Sequence, residues 1–157
     1  MTTMKRRTFL KGAMASSMLA VAAGAGLLRP TEVLASPYPS SAFKTKGIDE
    51  TLKTLFGTSA HMASSHISMD VPIQAENAAV VPIKISTKMK ADTVAILVPN
   101  NPATLAASVD LGPTGEGFFQ TRIKMGKTSD VVAVIRSNGK LYTTKQKVKV
   151  TVGGCGG

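Results

Sequence analysis

The chain has 157 residues, 19 Lys+Arg against 9 Asp+Glu, a net charge of +10, no tryptophan and a single cysteine. That length suits one domain. A lone cysteine rules out an internal disulfide, and basic charge without aromatic–basic interleaving or a binding signature argues against nucleic acid as the partner.

The start of the chain is set apart from the fold. Residues 1–35 read as an export signal: Lys5, Arg6 and Arg7 form a positive n-region, an alanine- and glycine-rich apolar run follows, and Val33-Leu34-Ala35 supplies small residues at the cleavage positions. The paired arginines followed by Thr8-Phe9-Leu10-Lys11 fit a twin-arginine signal, with Lys5 where serine or threonine is usual. An ordinary secretion signal with a basic start is the other reading. The run over 13–28 is too short and glycine-rich for a membrane span. Cleavage after Ala35 leaves 14 of the 19 Lys+Arg and 8 of the 9 Asp+Glu, a net charge of +6. Such a balance favours anionic ligands or acidic partners.

Residues 36–46 are polar and proline-bearing and read as an extended lead-in. The spacing predicts a short helix over 48–56, with Asp49 and Glu50 at its positive start, Leu52, Leu55 and Phe56 on one side, and Gly57 as the stop. Short β segments follow. Ile67, Met69 and Val71 alternate with polar residues, as do Val81, Ile83 and Ile85, and then Phe119, Thr121, Ile123 and Met125. The stretches 93–98 and 130–136 hold continuous apolar runs, 94–98 and 131–135, the latter central. With 105–111 and a last strand from 140 to 152, about seven strands result. Asn138-Gly139 fits a two-residue hairpin turn. The pattern indicates an all-β, antiparallel sandwich of immunoglobulin-like type over 47–152, with a small barrel as the competing architecture.

In the last strand, Val148, Val150 and Val152 fall on one face and Lys145, Lys147, Lys149 and Thr151 on the other, so the strand is expected to be seated through Val152. The next residues are Gly153, Gly154, Cys155, Gly156 and Gly157. Glycine's backbone freedom makes this segment a flexible arm by expectation, with Cys155 roughly 10 Å past Val152 when extended. A slim arm ending in a thiol suits a covalent carrier, because a thiolate can hold sulfur as a persulfide or thiosulfonate. No neighbour in sequence lowers its pKa, Lys149 being the nearest cation, so activation falls to a partner enzyme.

The tail and several internal stretches resemble one family. They are "GGCGG", "AEN" with "VPIKI" (75–85), "NNPA" (100–103), "FFQTRIKM" (118–125) and "TSDVVAVI" (128–135), besides the twin-arginine start. The chain is similar to SoxY, the sulfur-carrier subunits of the periplasmic thiosulfate-oxidising Sox system. The resemblance implies an immunoglobulin-like domain paired with a second β-sandwich protein, SoxZ. It implies sulfur carried on Cys155, with no resident cofactor and no catalysis by the chain itself. It also implies transient contact with a haem protein that joins thiosulfate to the cysteine, a hydrolase that releases sulfate, and, where present, a molybdenum sulfur dehydrogenase. No membrane contact is implied after signal removal.

Other residues carry weaker signals. His61 and His66 lack further ligands for a metal and suit a loop or surface role. Asp70 and Glu76 read as solvated carboxylates, and Ser64 and Ser65 form no nucleophile motif. The Lys145, Lys147 and Lys149 stripe has two readings, a solvated or edge-protecting face and an electrostatic guide toward acidic partners or thiosulfate. The apolar runs 94–98 and 131–135 are candidates for the partner interface. Two alternatives to a thiol carrier stand: a carrier activated at its terminal Gly-Gly carboxyl, which the export signal opposes, and an exported adaptor disulfide-linked to a partner through Cys155.

Overall fold

A computed structural model describes residues 38–112 and 115–151. The export signal, Val152 and the tail with Gly153, Gly154, Cys155, Gly156 and Gly157 lie outside the described residues.

The lead-in is not extended throughout. A 3-10 turn forms at Ala42–Lys44, with Ala42 buried and the rings of Tyr38 and Phe43 stacked 5.3 Å apart. The apolar contacts of Ala42 and Phe43 outweigh the extended bias of the neighbouring prolines. Helix α1 spans Ile48–Phe56 as expected. Asp49 and Glu50 occupy its first turn, where the helix dipole favours negative charge. Gly57 ends it in the left-handed region (φ 78°), donating its N–H to Lys53 O at 2.9 Å. Among the described residues no helix is long and apolar enough to cross a membrane.

Among the described residues nine strands follow: β1 (His61–Ala63), β2 (Ile67–Asp70), β3 (Gln74–Ala75), β4 (Val81–Thr87), β5 (Thr93–Leu97), β6 (Leu105–Asp110), β7 (Phe118–Ile123), β8 (Ser129–Ser137) and β9 (Lys140–Val150). They form two sheets. The larger has the order β1-β9-β8-β5-β6, with β3 also paired to β9, and the smaller is β2-β4-β7. The two strands beyond the expected seven are β1 and β3, and both pair with β9 in parallel. The larger sheet is therefore mixed and not wholly antiparallel. Segments of three and two residues are too short to show an alternation, so they form only where the long β9 offers its open edge.

Alternation places the core. Ile67, Val81, Ile83, Ile85 and Ile123 of the small sheet meet Val94, Ile96, Val131, Ala133, Ile135 and Val148 of the large one. The opposite face of the large sheet is covered by α1. There Leu52, Ile48, Leu55 and Phe56 pack on Ala95, Leu97, Val132, Val134 and Leu141. β5 and β8 are thus buried on both faces, which explains their unbroken apolar runs. It also overturns the expectation that 94–98 and 131–135 form a partner interface, because α1 and the small sheet already cover them.

Asn138 (φ 50°) and Gly139 (φ 75°) make the two-residue turn from β8 to β9, the positive φ values that such a hairpin needs. Removing most of Ile96, fully buried at the centre, is expected to cost about 2–5 kcal/mol in an Ile96→Ala variant. Phe118→Ala, at an exposed strand end, should stay within about 0.5 kcal/mol. Urea unfolding of the two variants checks the contrast.

Candidate functional site at the exit end

Strand direction gathers four chain segments at the end where β9 finishes. β9 arrives there with Val150, and the connections 71–80, 98–104 and 124–128 turn there. Beyond Thr151 the chain continues toward Cys155, so this end carries the root of the tail.

The root is held from both sides. Val150 N–H donates to Thr128 Oγ1 at 2.9 Å, and the same hydroxyl donates back to Val150 O at 3.4 Å. On the other side Lys149 N–H donates to Ile73 O at 2.8 Å, and Ala75 lies in register with Val150. Gln146 Nε2 donates to Val71 O at 3.3 Å. Val148 is fully buried and Val150 half-buried, while Lys145, Lys147 and Lys149 are exposed. The expected alternation of β9 therefore holds as far as Val150.

Thr128 is itself braced by the Asn-Asn-Pro turn after β5. Asn100 Nδ2 donates to Thr128 O at 2.8 Å, and Asn100 N–H reaches Ser129 Oγ at 3.3 Å. Asn101 clips the same loop one step earlier. Its Nδ2 donates to Lys124 O at 2.7 Å, and its Oδ1 accepts from Gly126 N–H at 2.9 Å. Met125, almost fully buried, donates its N–H to Ala78 O at 2.8 Å. Three loops are thus joined by side-chain amides and backbone bonds, and the link ends at Val150. Adjacent pleats and turns do not reveal such a link in sequence. Only the turn chemistry of Asn-Asn-Pro hinted at it.

Two shallow grooves flank this end. One of about 390 Å³ runs along Pro72, Gln74, Asn77, Val80 and Pro82. The other, about 400 Å³, lies between the free edges of β6 and β7, lined by Pro102, Leu105, Ile123 and Lys124. Ile73 and Val80 are exposed beside the first.

Of the remaining sequence candidates, Glu76 shares this end, and the histidines, Ser64 and Asp70 lie elsewhere. His61, whose Nδ1–H donates to Ser59 O at 2.8 Å, and His66 are exposed at the opposite end. Ser64 Oγ accepts from His66 N–H, an ordinary turn contact. Asp70 makes a 3.8 Å ion pair with Lys84 on the outer face of the small sheet, and Glu76 is exposed on the 71–80 loop. Among the described residues no three His, Cys, Asp or Glu side chains converge as a metal site. The exit end offers a braced support and several cations, with neither histidine near it.

A two-sheet β domain with one short helix, presenting the root of its last strand, is the class these features define. The family model of the sulfur oxidation protein SoxY matches residues 52–155, a range that reaches Cys155. The chain belongs to the SoxY family. It is similar to the sulfur carrier protein SoxY from Chlorobium limicola f thiosulfatophilum, with 32% identity over 70% of this chain and 96% of that chain, and a TM-score of 0.61. Two weaker structural likenesses are an engineered protein (12% identity, 55% of this chain and 20% of that one, TM-score 0.39) and the BSP domain of a biofilm-associated protein (14%, 68% and 18%, TM-score 0.37). Neither bears on the fold or its use. None of the curated proteins compared matches the chain.

Thr128→Val keeps the side-chain volume and removes both bonds to Val150. The expected cost is about 1 kcal/mol, confined to the root. Amide hydrogen exchange at Val150 should quicken by about fivefold while that of Ala133 stays unchanged, and Thr128→Ser should restore it. Equal quickening at both amides would mean that Thr128 supports the whole domain and not its exit end.

Proposed function

We propose that the chain is a covalent sulfur carrier in thiosulfate oxidation, with Cys155 as the attachment point. The observation that carries this reading is the likeness to a sulfur carrier protein, in a family range that extends to the chain's one cysteine. The described domain supports it from the other direction. β9 is fixed as far as Val150, and Cys155 follows Thr151 by four residues, so an extended segment spans roughly 14 Å. Gly153, Gly154, Gly156 and Gly157 give that arm its slimness and freedom.

In this reading the Cys155 thiolate and thiosulfate are joined as Cys–S–S–SO₃⁻. The new S–S bond releases two electrons, which the haem-containing conjugating enzyme accepts. Water then attacks the sulfonate sulfur in the hydrolase, which frees sulfate and two protons and leaves a persulfide on Cys155. A molybdenum enzyme, where present, oxidises that remaining sulfur. The chain supplies neither the redox centre nor the base. It binds no resident cofactor, and the sulfur is cargo. The domain is an immunoglobulin-like sandwich that pairs with a SoxZ-like β-sandwich subunit, and the twin-arginine signal delivers it to the periplasm.

Cys155→Ser should abolish thiosulfate-dependent turnover in the reconstituted system while leaving the thermal unfolding midpoint unchanged. Mass spectrometry of the native chain after turnover should find reductant-labile sulfur adducts on Cys155 alone. Full turnover by Cys155→Ser overturns the reading. Sulfur on the Gly157 carboxyl would identify a thiocarboxylate carrier, and a fixed disulfide to a partner that reductant never activates would identify an adaptor.

A further inference from the structure

Charge is unevenly shared between the two ends of the domain. The 124–128 loop and the last part of β9 carry Lys124, Lys127, Lys145, Lys147 and Lys149, all exposed. The carboxylates at this end are Asp130, in register with Lys147, and Glu76 on the 71–80 loop. Lys44 and Lys46 reach the same end through the bond from Thr104 N–H to Thr45 O, and are matched in number by Asp49 and Glu50 at the start of α1. The opposite end is closer to balance, with four cations against three carboxylates. Lys88, Lys90 and Lys140 stand against Asp92, Asp110 and Glu116, while the Arg136 guanidinium lies over the Phe56 ring at 5.7 Å. Among the described residues the one ion pair is Lys84–Asp70, so none of the five exit-end lysines is neutralised by a direct partner.

Edge protection accounts for Lys145 and Lys147, on the stretch of β9 that neither β1 nor β3 covers, but not for the other three. Lys149 sits where β3 covers that edge, and Lys124 and Lys127 are on the loop between β7 and β8. A pocket for a small anion does not fit either. The three β9 lysines extend over roughly 13 Å of strand, all are solvent-exposed, and no buried polar side chain converges with them. Separate, exposed cations spread over the end of the domain suit long-range attraction to another macromolecule.

We propose that this lysine face, centred on Lys124, Lys127 and Lys149, docks against acidic surface on the enzymes that receive the arm. It orients the root before Cys155 enters. The inference rests on the carrier reading and adds the chemistry of its partner: carboxylate-rich protein surface bordering the entry to the active site. The face acts on encounter, so its effect falls on the concentration of carrier needed and fades with salt.

The experiment uses the full mature chain with the purified haem-containing conjugating enzyme. Initial rates are measured against carrier concentration, at low ionic strength and at high. In Lys124→Glu/Lys127→Glu the half-saturating carrier concentration should rise about tenfold at low salt, with the maximal rate kept, and the difference should collapse near 0.5 M salt. Lys88→Glu/Lys90→Glu changes the net charge identically at the opposite end and should shift it less than twofold. Equal shifts in both pairs overturn the proposal, since net charge alone then acts. Recovery of the exit-end variant by raising thiosulfate at fixed carrier also overturns it, because the lysines would then be gathering the small anion. Thermal unfolding confirms that each variant is folded. The Cys155→Ser rate reports on the carrier reading separately: turnover without the thiol defeats that reading whatever the lysine pairs show.

Discussion

The architecture depends on burying β5 and β8 from both sides. Val94, Ile96, Val131, Ala133 and Ile135 face the small sheet, and Ala95, Leu97, Val132 and Val134 face α1. A two-sheet domain with few aromatics and no disulfide has limited means of excluding water. The helix supplies a second apolar layer, so two strands contribute on both faces where an ordinary sandwich strand contributes on one. The position of α1 follows from this demand. Its start is tied to the 98–104 turn by the bond from Gly47 N–H to Thr104 Oγ1 at 2.8 Å, and Leu52 closes the layer with no exposed area.

Rigidity at the centre is carried outward to the exit end by β8 and β9. β8 begins at Ser129, next to Thr128, so the residue that holds Val150 is covalently continuous with a strand buried on both faces. The Asn100 and Asn101 amides then fix Thr128 and its loop to the turn after β5, the other doubly buried strand. The last strand residues thus inherit their stability from the core through short bonded paths. This matters because a tether's reach is measured from its fixed point. For the proposed arm of about four residues, freeing two more would lengthen it by half and dilute the thiol's effective concentration at a docked site.

Local rules carried most of the fold. Helix 48–56, its glycine stop, the Asn-Gly hairpin and the alternation of β4, β7 and β9 were legible because each depends on neighbours in sequence. What depends on distant residues was not. β1 and β3 exist by adding to β9, and the 3-10 turn by packing Ala42 under α1. The apolar runs of β5 and β8 were ambiguous between a core and an interface until the helix was placed over them. The candidate site divides in the same way. Cys155 and its glycines stand out by composition alone, whereas the role of Thr128 needs the meeting of four segments. Lys145, Lys147 and Lys149 were visible as a stripe, but Lys124 and Lys127 join them only through the fold.

The division between scaffold and chemistry follows from what a carrier has to do. A group that visits several active sites gains nothing from a base or oxidant fixed on its own domain, since each visited enzyme brings one suited to its step. A reactive neighbour would also discharge the cargo between visits. In the described domain the histidines lie at the end opposite the exit, and the exit end presents amides, a hydroxyl, lysines and the carboxylates of Asp130 and Glu76. The amides and the hydroxyl hold the root in position, and the lysines add positive charge around it. For the carrier proposed above, two physical quantities then matter, the precision of the root and the charge around it, and both draw on residues remote in sequence, Asn100, Lys124, Lys127 and Thr128, as well as on the end of β9.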